Sequence, residues 1–172
     1  MAAQDKTRTA DPIARPPGEG EALWFNNDLL TFKATGGETA GGLVVLEELS
    51  RQGKVTPLHT HPGETESFYL LEGEARFHVD GDEVSVGAGG FVSIPPGVPH
   101  AYLVTSETAR TLILIAPGSG AMEAFFREAG EPAPERVLPA EGPLDLERIA
   151  AAAGRTGAVE ILGPPPFAEP GK

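Results

Sequence analysis

The stretch from Gly53 to Gly73, GKVTPLHTHPGETESFYLLEG, decides how this chain is read. His59 and His61 stand two apart. On a β-strand alternate side chains leave the same face, so two imidazoles at that spacing reach one point. Pro62-Gly63 ends that strand, and Glu66 opens the next one, Glu66 to Leu71. By period-2 parity Glu66 shares its face with Phe68 and Leu70, which points it into an apolar interior. A carboxylate there requires a partner, because burying an unpaired charge is expensive. A metal ion held by the neighbouring His pair supplies one. His100 follows Pro95-Pro96-Gly97-Val98-Pro99, a rigid turn that returns the chain to the same site.

His59, His61, Glu66 and His100 are therefore the expected metal ligands. Three imidazoles and a carboxylate suit one divalent transition ion (Ni, Fe, Co, Mn, Cu or Zn) better than Ca or Mg. Four protein ligands in an octahedral site leave two positions, for substrate and water or for substrate and dioxygen. A lone His-x-His is often no more than a surface strand pair. Here four ligand-type residues are framed by glycines and prolines, which argues against that reading. The fourth histidine, His78, lies on the face opposite Ala75, Phe77 and Val79 and is read as structural or exposed. Glu64 competes with Glu66 for the carboxylate role, but reads better as a turn residue or a support behind the ligands.

Working outward, short strands recur with turn signals between them. Leu23-Trp24-Phe25 and Leu29 to Phe32 flank an Asn26-Asn27-Asp28 turn, and Gly42 to Leu49 is a clear strand. Ala75 to Val79 leads into Asp80-Gly81, a hairpin signal, and Glu83 to Val86 returns. Phe91 to Ile94, Ala101 to Val104 and Thr111 to Ile115 complete the set. With no helices between them, such strands imply an all-β barrel or sandwich. After Pro117 the period becomes helical. Met122, Phe125, Phe126 and Ala129 form one apolar stripe, with Glu123 and Arg127 on the other face. Leu146, Ile149, Ala150 and Ala153 form a second stripe, with Gly154 as its C-terminal stop. These helices are expected to cover an edge or mouth of the barrel. The division is one domain over 1–172: a loose arm at 1–20, a barrel at about 21–117, and helices and tail at 118–172.

The 172 residues can bury a core without disulfides, and the 22 glycines and 17 prolines exclude a helical bundle. A net charge of -12 disfavours nucleic acid and anionic membrane surfaces. The absence of cysteine excludes disulfides, thiolate metal sites and a cysteine nucleophile. The first 21 residues contain no apolar segment of signal-peptide type, and no apolar run approaches membrane-spanning length. A cytoplasmic location is the default.

At these residues the sequence resembles the cupin family. Gly53, His59, His61, Glu66 and Gly73 match the first cupin motif in full, and Gly89, Pro95, Gly97 and His100 match the second. Val104 replaces the final Asn of the second motif, a position that does not bind metal in the family. The resemblance implies a double-stranded β-helix (jelly-roll) barrel with short C-terminal helices here, usually dimeric. Ala22 to Phe25, Phe125 to Glu128, Gly130 to Pro134 and Val159 to Pro165 also look like small single-cupin proteins of bacteria. Several of these are described as quercetin (flavonol) dioxygenases.

That likeness implies an enzyme, a metal-dependent dioxygenase that opens an aromatic enol such as a flavonol with O2. In such enzymes the substrate's 3-hydroxyl binds the metal as an anion and carbon monoxide is released. Phe68, Leu70, Phe77 and Leu103 are the candidate pocket lining. Glu66 is the candidate general base as well as a ligand. No Asp, Lys or Cys lies between the ligands of either motif, and burial beside Phe68 and Leu70 tends to raise a carboxyl pKa. The alternative is a non-redox isomerase, cyclase or decarboxylase on a sugar-acid or polyketide-like substrate. A third reading is a module that binds a small molecule without turnover.

Overall fold

The structure, a computed structural model, describes residues 9–167. Ten strands run in succession: β1 (Ala22–Phe25), β2 (Asp28–Ala34), β3 (Val44–Arg51), β4 (Leu58–Thr60), β5 (Thr65–Glu72), β6 (Glu74–Val79), β7 (Asp82–Gly87), β8 (Phe91–Ile94), β9 (His100–Val104) and β10 (Thr108–Ala116). Then follow helix α1 (Ala121–Ala129), β11 (Glu131–Pro132), helix α2 (Leu146–Thr156) and β12 (Glu160–Gly163). They form two antiparallel sheets, ordered β11-β1-β2-β3-β10-β5-β8 and β12-β4-β9-β6-β7. This is the expected all-β jelly roll with two short C-terminal helices.

The turns form where the sequence permits left-handed backbone. Asn26 and Asn27 have φ of 55° and 67°, and Asp80 and Gly81 have 51° and 93°, so each pair turns its hairpin as the residue types allow. Gly73, between β5 and β6, is required twice over. Its φ is 81°, and a Cβ there would run into the Thr108 carbonyl and the Ala109 backbone.

Alternation fills the interior. In β3, Val44, Leu46, Glu48 and Ser50 turn inward, and in the neighbouring β10 Ala109, Thr111, Ile113 and Ile115 stand beside them on the same face of the sheet. Phe68 of the first sheet meets Phe77 and Tyr102 of the second, with ring centroids 5.1 and 5.5 Å away. These rings close the two sheets on each other at mid-height. Outside, α1 lays Phe125 and Phe126 edge-on against Phe25 of β1, at 5.8 and 5.4 Å. The first apolar stripe is buried as expected.

Several expectations need correction. Glu123 pairs with Arg127 as expected, but it is also buried and accepts from the Gly36 amide at 2.5 Å, which the helical pattern alone did not indicate. The second stripe is rotated: Leu146 is 64% exposed and Ala150 is exposed, while Ala152 and Ala153 are buried. Helix α2 packs on α1 and β12, so its contact face is set by those neighbours rather than by the barrel. It ends at Gly157 in left-handed conformation, not at Gly154, which is helical. The arm at 9–20 lacks regular structure, yet Arg15 fastens it to the Lys33 carbonyl and to Glu38. The rest of the expected arm lies outside the described residues. No helix among the described residues is long and apolar enough to cross a membrane.

Phe77 is 1% exposed and Phe91 is 59% exposed. Phe77→Ala is expected to lower the unfolding free energy by about 3–5 kcal/mol, and Phe91→Ala by no more than about 0.5 kcal/mol. Urea denaturation measures both, and equal losses would remove Phe77 from the centre of the core.

Candidate metal centre

His59 and His100 are register partners across β4 and β9 of the second sheet. Glu66 comes from β5 of the first sheet, between Ile94 and Ile115. His61 follows the end of β4. All four are buried, and one ligand atom from each lies within 4.8 Å of the others. The site therefore sits between the sheets, with ligands from both.

The ring orientations decide what the site can hold. Each Nδ1 is engaged by a backbone carbonyl: His59 by Pro57 at 2.8 Å, His100 by Val98 at 2.9 Å and His61 by Ala158 at 2.9 Å. A carbonyl only accepts, so each Nδ1 carries the proton and donates it. In the neutral imidazole this leaves a lone pair on Nε2. The Nε2 atoms of His61 and His100 nevertheless lie 3.1 and 3.2 Å from Glu66 Oε2. Lone pairs and a carboxylate at such distances repel unless a cation stands among them. A divalent metal fits that need, and the carbonyl partners are the supports that fix metal-binding histidines.

The electrostatics agree. Burial pushes Glu66 upward, but the charge of His61 and hydrogen bonds from His100 and His61 outweigh it, so the carboxyl is held well below its ordinary range. Burial also pulls His61 down, yet Glu66, the Ala158 carbonyl and Glu64 together bring it above its ordinary 6.5. Burial and the neighbouring His100 push His59 down to about 4, which keeps that ring neutral. Burial beside Phe68 and Leu70 thus raises the Glu66 pKa as the parity argument expects, and the two imidazoles outweigh it.

The other candidates separate cleanly. Glu64 is buried and accepts from Ser119 Oγ, outside the ligand cluster. His78 stands away from the site, its ring edge-on to Phe167 at 6.4 Å. Phe68, Leu70 and Phe77 are inward and buried. Leu103 alternates outward, bridged to Val55, and Tyr102 takes the inward position instead. Three further contributors escaped the sequence reading. The Ala158 carbonyl lies just before β12, which pairs with β4 beside the ligands. Tyr102 Oη donates to Glu48 Oε2 at 2.7 Å, and burial pushes Glu48 up to about 7. Parity with Val44 and Leu46 was the available signal for Glu48; a backbone carbonyl offers none.

Residues 45–116 match the family model described as Cupin domain. The chain carries a cupin domain. It is 30% identical over 132 residues to quercetin 2,3-dioxygenase of Bacillus subtilis, covering 77% of this chain and 39% of that protein. The chain thus spans about two fifths of that relative's length. Among solved structures, the cupin domain is similar to a predicted oxalate decarboxylase from Thermotoga maritima (TM-score 0.55, 21% identity, 60% of this chain and 97% of that one). It is also similar to an RmlC-like cupin from Shewanella frigidimarina (TM-score 0.55, 17% identity, 66% and 96%). These two likenesses concern the fold.

His59→Ala, His61→Ala and His100→Ala are each expected to lose most bound metal while remaining folded, and His78→Ala to retain it. Elemental analysis of the purified proteins decides this, and metal loss in His78→Ala would overturn the ligand assignment. Binding must also expel the proton that Glu66 helps to hold on His61. Metal affinity is therefore expected to fall as pH drops through the raised His61 pKa, by about tenfold per pH unit once that single proton competes. His59, titrating at about 4, adds nothing until far lower pH. Zinc titrations between pH 8 and pH 6 test this, and a flat affinity would contradict it.

Proposed function

We propose that this cupin domain is a metal-dependent dioxygenase acting on an aromatic enol of the flavonol type. The observation that carries the reading is the convergence of three backbone-oriented imidazoles and Glu66 on one buried point. Similarity to a quercetin 2,3-dioxygenase supports it. His59, His61, Glu66 and His100 would hold the ion. When bound, a divalent transition ion supplies positive charge that acidifies an enol hydroxyl and redox capacity toward dioxygen.

The chain's own residues do the rest. Pro57, Val98 and Ala158 hold the three rings in the tautomer that presents Nε2. Phe68, Phe77 and Tyr102 pack on one another in the core and exclude water from the barrel interior. Glu66 turns Oε2 toward His61 and His100, which leaves its second oxygen for the substrate's proton. Because its carboxyl is held below the ordinary range, it accepts that proton only from an acidified hydroxyl.

A second reading, a non-redox isomerase, cyclase or decarboxylase, is favoured by the ligand set itself, since three imidazoles and a carboxylate also suit an ion that acts only as a Lewis acid. Oxygen uptake with a panel of flavonols, on protein of known metal content, separates the two. Carbon monoxide release with oxygen consumption supports the dioxygenase, and turnover of an enolisable acid without oxygen supports the alternative.

Glu66→Gln keeps an oxygen for the metal but cannot accept a proton. Matched to the unaltered protein in metal content, it is expected to lose turnover by about a hundredfold or more. Near-normal turnover would leave Glu66 as a ligand only.

A further inference from the structure

Five carboxylates are buried among the described residues: Asp28, Glu48, Glu64, Glu66 and Glu123. Four of them have the nitrogen of a basic side chain beside them. Asp28 and Glu48 flank Lys54, Glu123 holds Arg127, and Glu66 faces His61 and His100. Glu64 differs. It is 5% exposed, and it accepts from a neutral hydroxyl, Ser119 Oγ, in the loop between β10 and α1. The first amide of α1, Ala121, donates to that same Oγ at 3.4 Å, which adds only a partial positive charge. A buried carboxylate so weakly matched is costly unless a full positive charge stands close by.

The position of Glu64 in the chain supplies one. It lies three residues after His61 and two before Glu66. Thr65 opens β5, and the succession of buried Glu64, half-buried Thr65 and buried Glu66 sets both carboxylates on the inward side. Two residues of extended chain span about 7 Å. Through buried material a charge acts strongly over such a distance. It already acts on His61: burial opposes a positive charge on that ring, and Glu66, the Ala158 carbonyl and Glu64 together overcome it. Glu64 is nevertheless outside the set of four residues whose ligand atoms lie within 4.8 Å of one another.

The charges of the centre complete the argument. Imidazoles that present a lone pair from Nε2 are neutral, so the ligand set carries the single negative charge of Glu66. A divalent ion held by that set leaves one positive charge uncompensated in a buried site, and Glu64 carries the one negative charge that cancels it.

We propose that Glu64 is a positioning residue of the metal centre, the counter-charge that strengthens the hold of His59, His61, Glu66 and His100 on a divalent ion without binding the ion itself. Ser119 fixes where that charge stands, by tying the turn between His61 and Glu66 to the loop after β10. The role rests on the metal-binding part of the functional reading and is independent of whether the chemistry uses oxygen.

Calorimetric titration of zinc into the metal-free full chain tests it, together with thermal melts of the same metal-free samples. Glu64→Gln keeps the shape of the side chain and an oxygen for Ser119 but removes the charge. It is expected to lose zinc affinity by about tenfold or more. Without metal it is expected to melt no lower than the unaltered chain, because a costly buried charge has gone. Glu64→Asp keeps the charge on a shorter stem and is expected to bind zinc more tightly than Glu64→Gln. Ser119→Ala keeps the charge and removes only its tether, and is expected to lose less affinity than Glu64→Gln. A purely structural role inverts the order of the two Glu64 variants, since Gln is the closer match in shape. The proposal is overturned if Glu64→Gln binds zinc as tightly as the unaltered chain, or if Glu64→Asp binds no better than Glu64→Gln. Failure of the unaltered chain to take up zinc would instead overturn the ligand assignment, and the role of Glu64 with it.

Discussion

Three imidazole lone pairs and one carboxylate are aimed at a single point inside this protein, and like electron density cannot remain together there unneutralised. The carbonyls of Pro57, Val98 and Ala158 claim the Nδ1 protons, so the rings cannot turn to relieve the repulsion. Something positive has to stand among the Nε2 atoms and Glu66. In the free protein the raised affinity of His61 for a proton meets that need in part. A metal ion meets it fully, and much of the surrounding architecture follows from holding that geometry. Two sheets contribute ligands, the Pro95–Pro99 turn delivers His100, and the β4–β9 pairing sets His59 against it.

Below that point the interior changes character twice. Phe68, Phe77 and Tyr102 form an aromatic layer, and beneath it Glu48, Lys54 and Asp28 form a charged one. The layers are not electrically isolated. The charge of Glu66 contributes to raising Glu48, after burial itself, because the apolar material between them screens weakly. The polar layer is also costly to bury, which explains its dense pairing: Tyr102 on Glu48, and two carboxylates and two rings around Lys54.

How far the sequence could be read depends on the kind of information each feature carries. Period-2 alternation placed Glu66 inward with Phe68 and Leu70, and the His-x-His spacing put two rings on one face. The hairpins at Asn26-Asn27 and Asp80-Gly81 were legible because few residues accept positive φ. Leu103 was misplaced since apolar character alone does not fix a face, whereas parity with His100 assigns the inward position to Tyr102. The C-terminal segment was the least legible. Strand β12 is four residues, mostly exposed, with no alternation to mark it, and it forms only because β4 offers an open edge. Leu146 and Ala150 fitted a helical stripe in number, but the partner of α2 is another helix, and its packing chose Ala152 and Ala153.

The hydrogen bond from His61 to the Ala158 carbonyl has a consequence for the order of events during synthesis. Ribosomes deliver the motif histidines, the barrel strands and both helices before residue 158 emerges. A nascent chain can therefore close its sheets and still present His61 with a ring that is free to rotate. The ring is held in one tautomer only once β12 docks on β4, so a short and mostly exposed strand completes the set of fixed imidazoles.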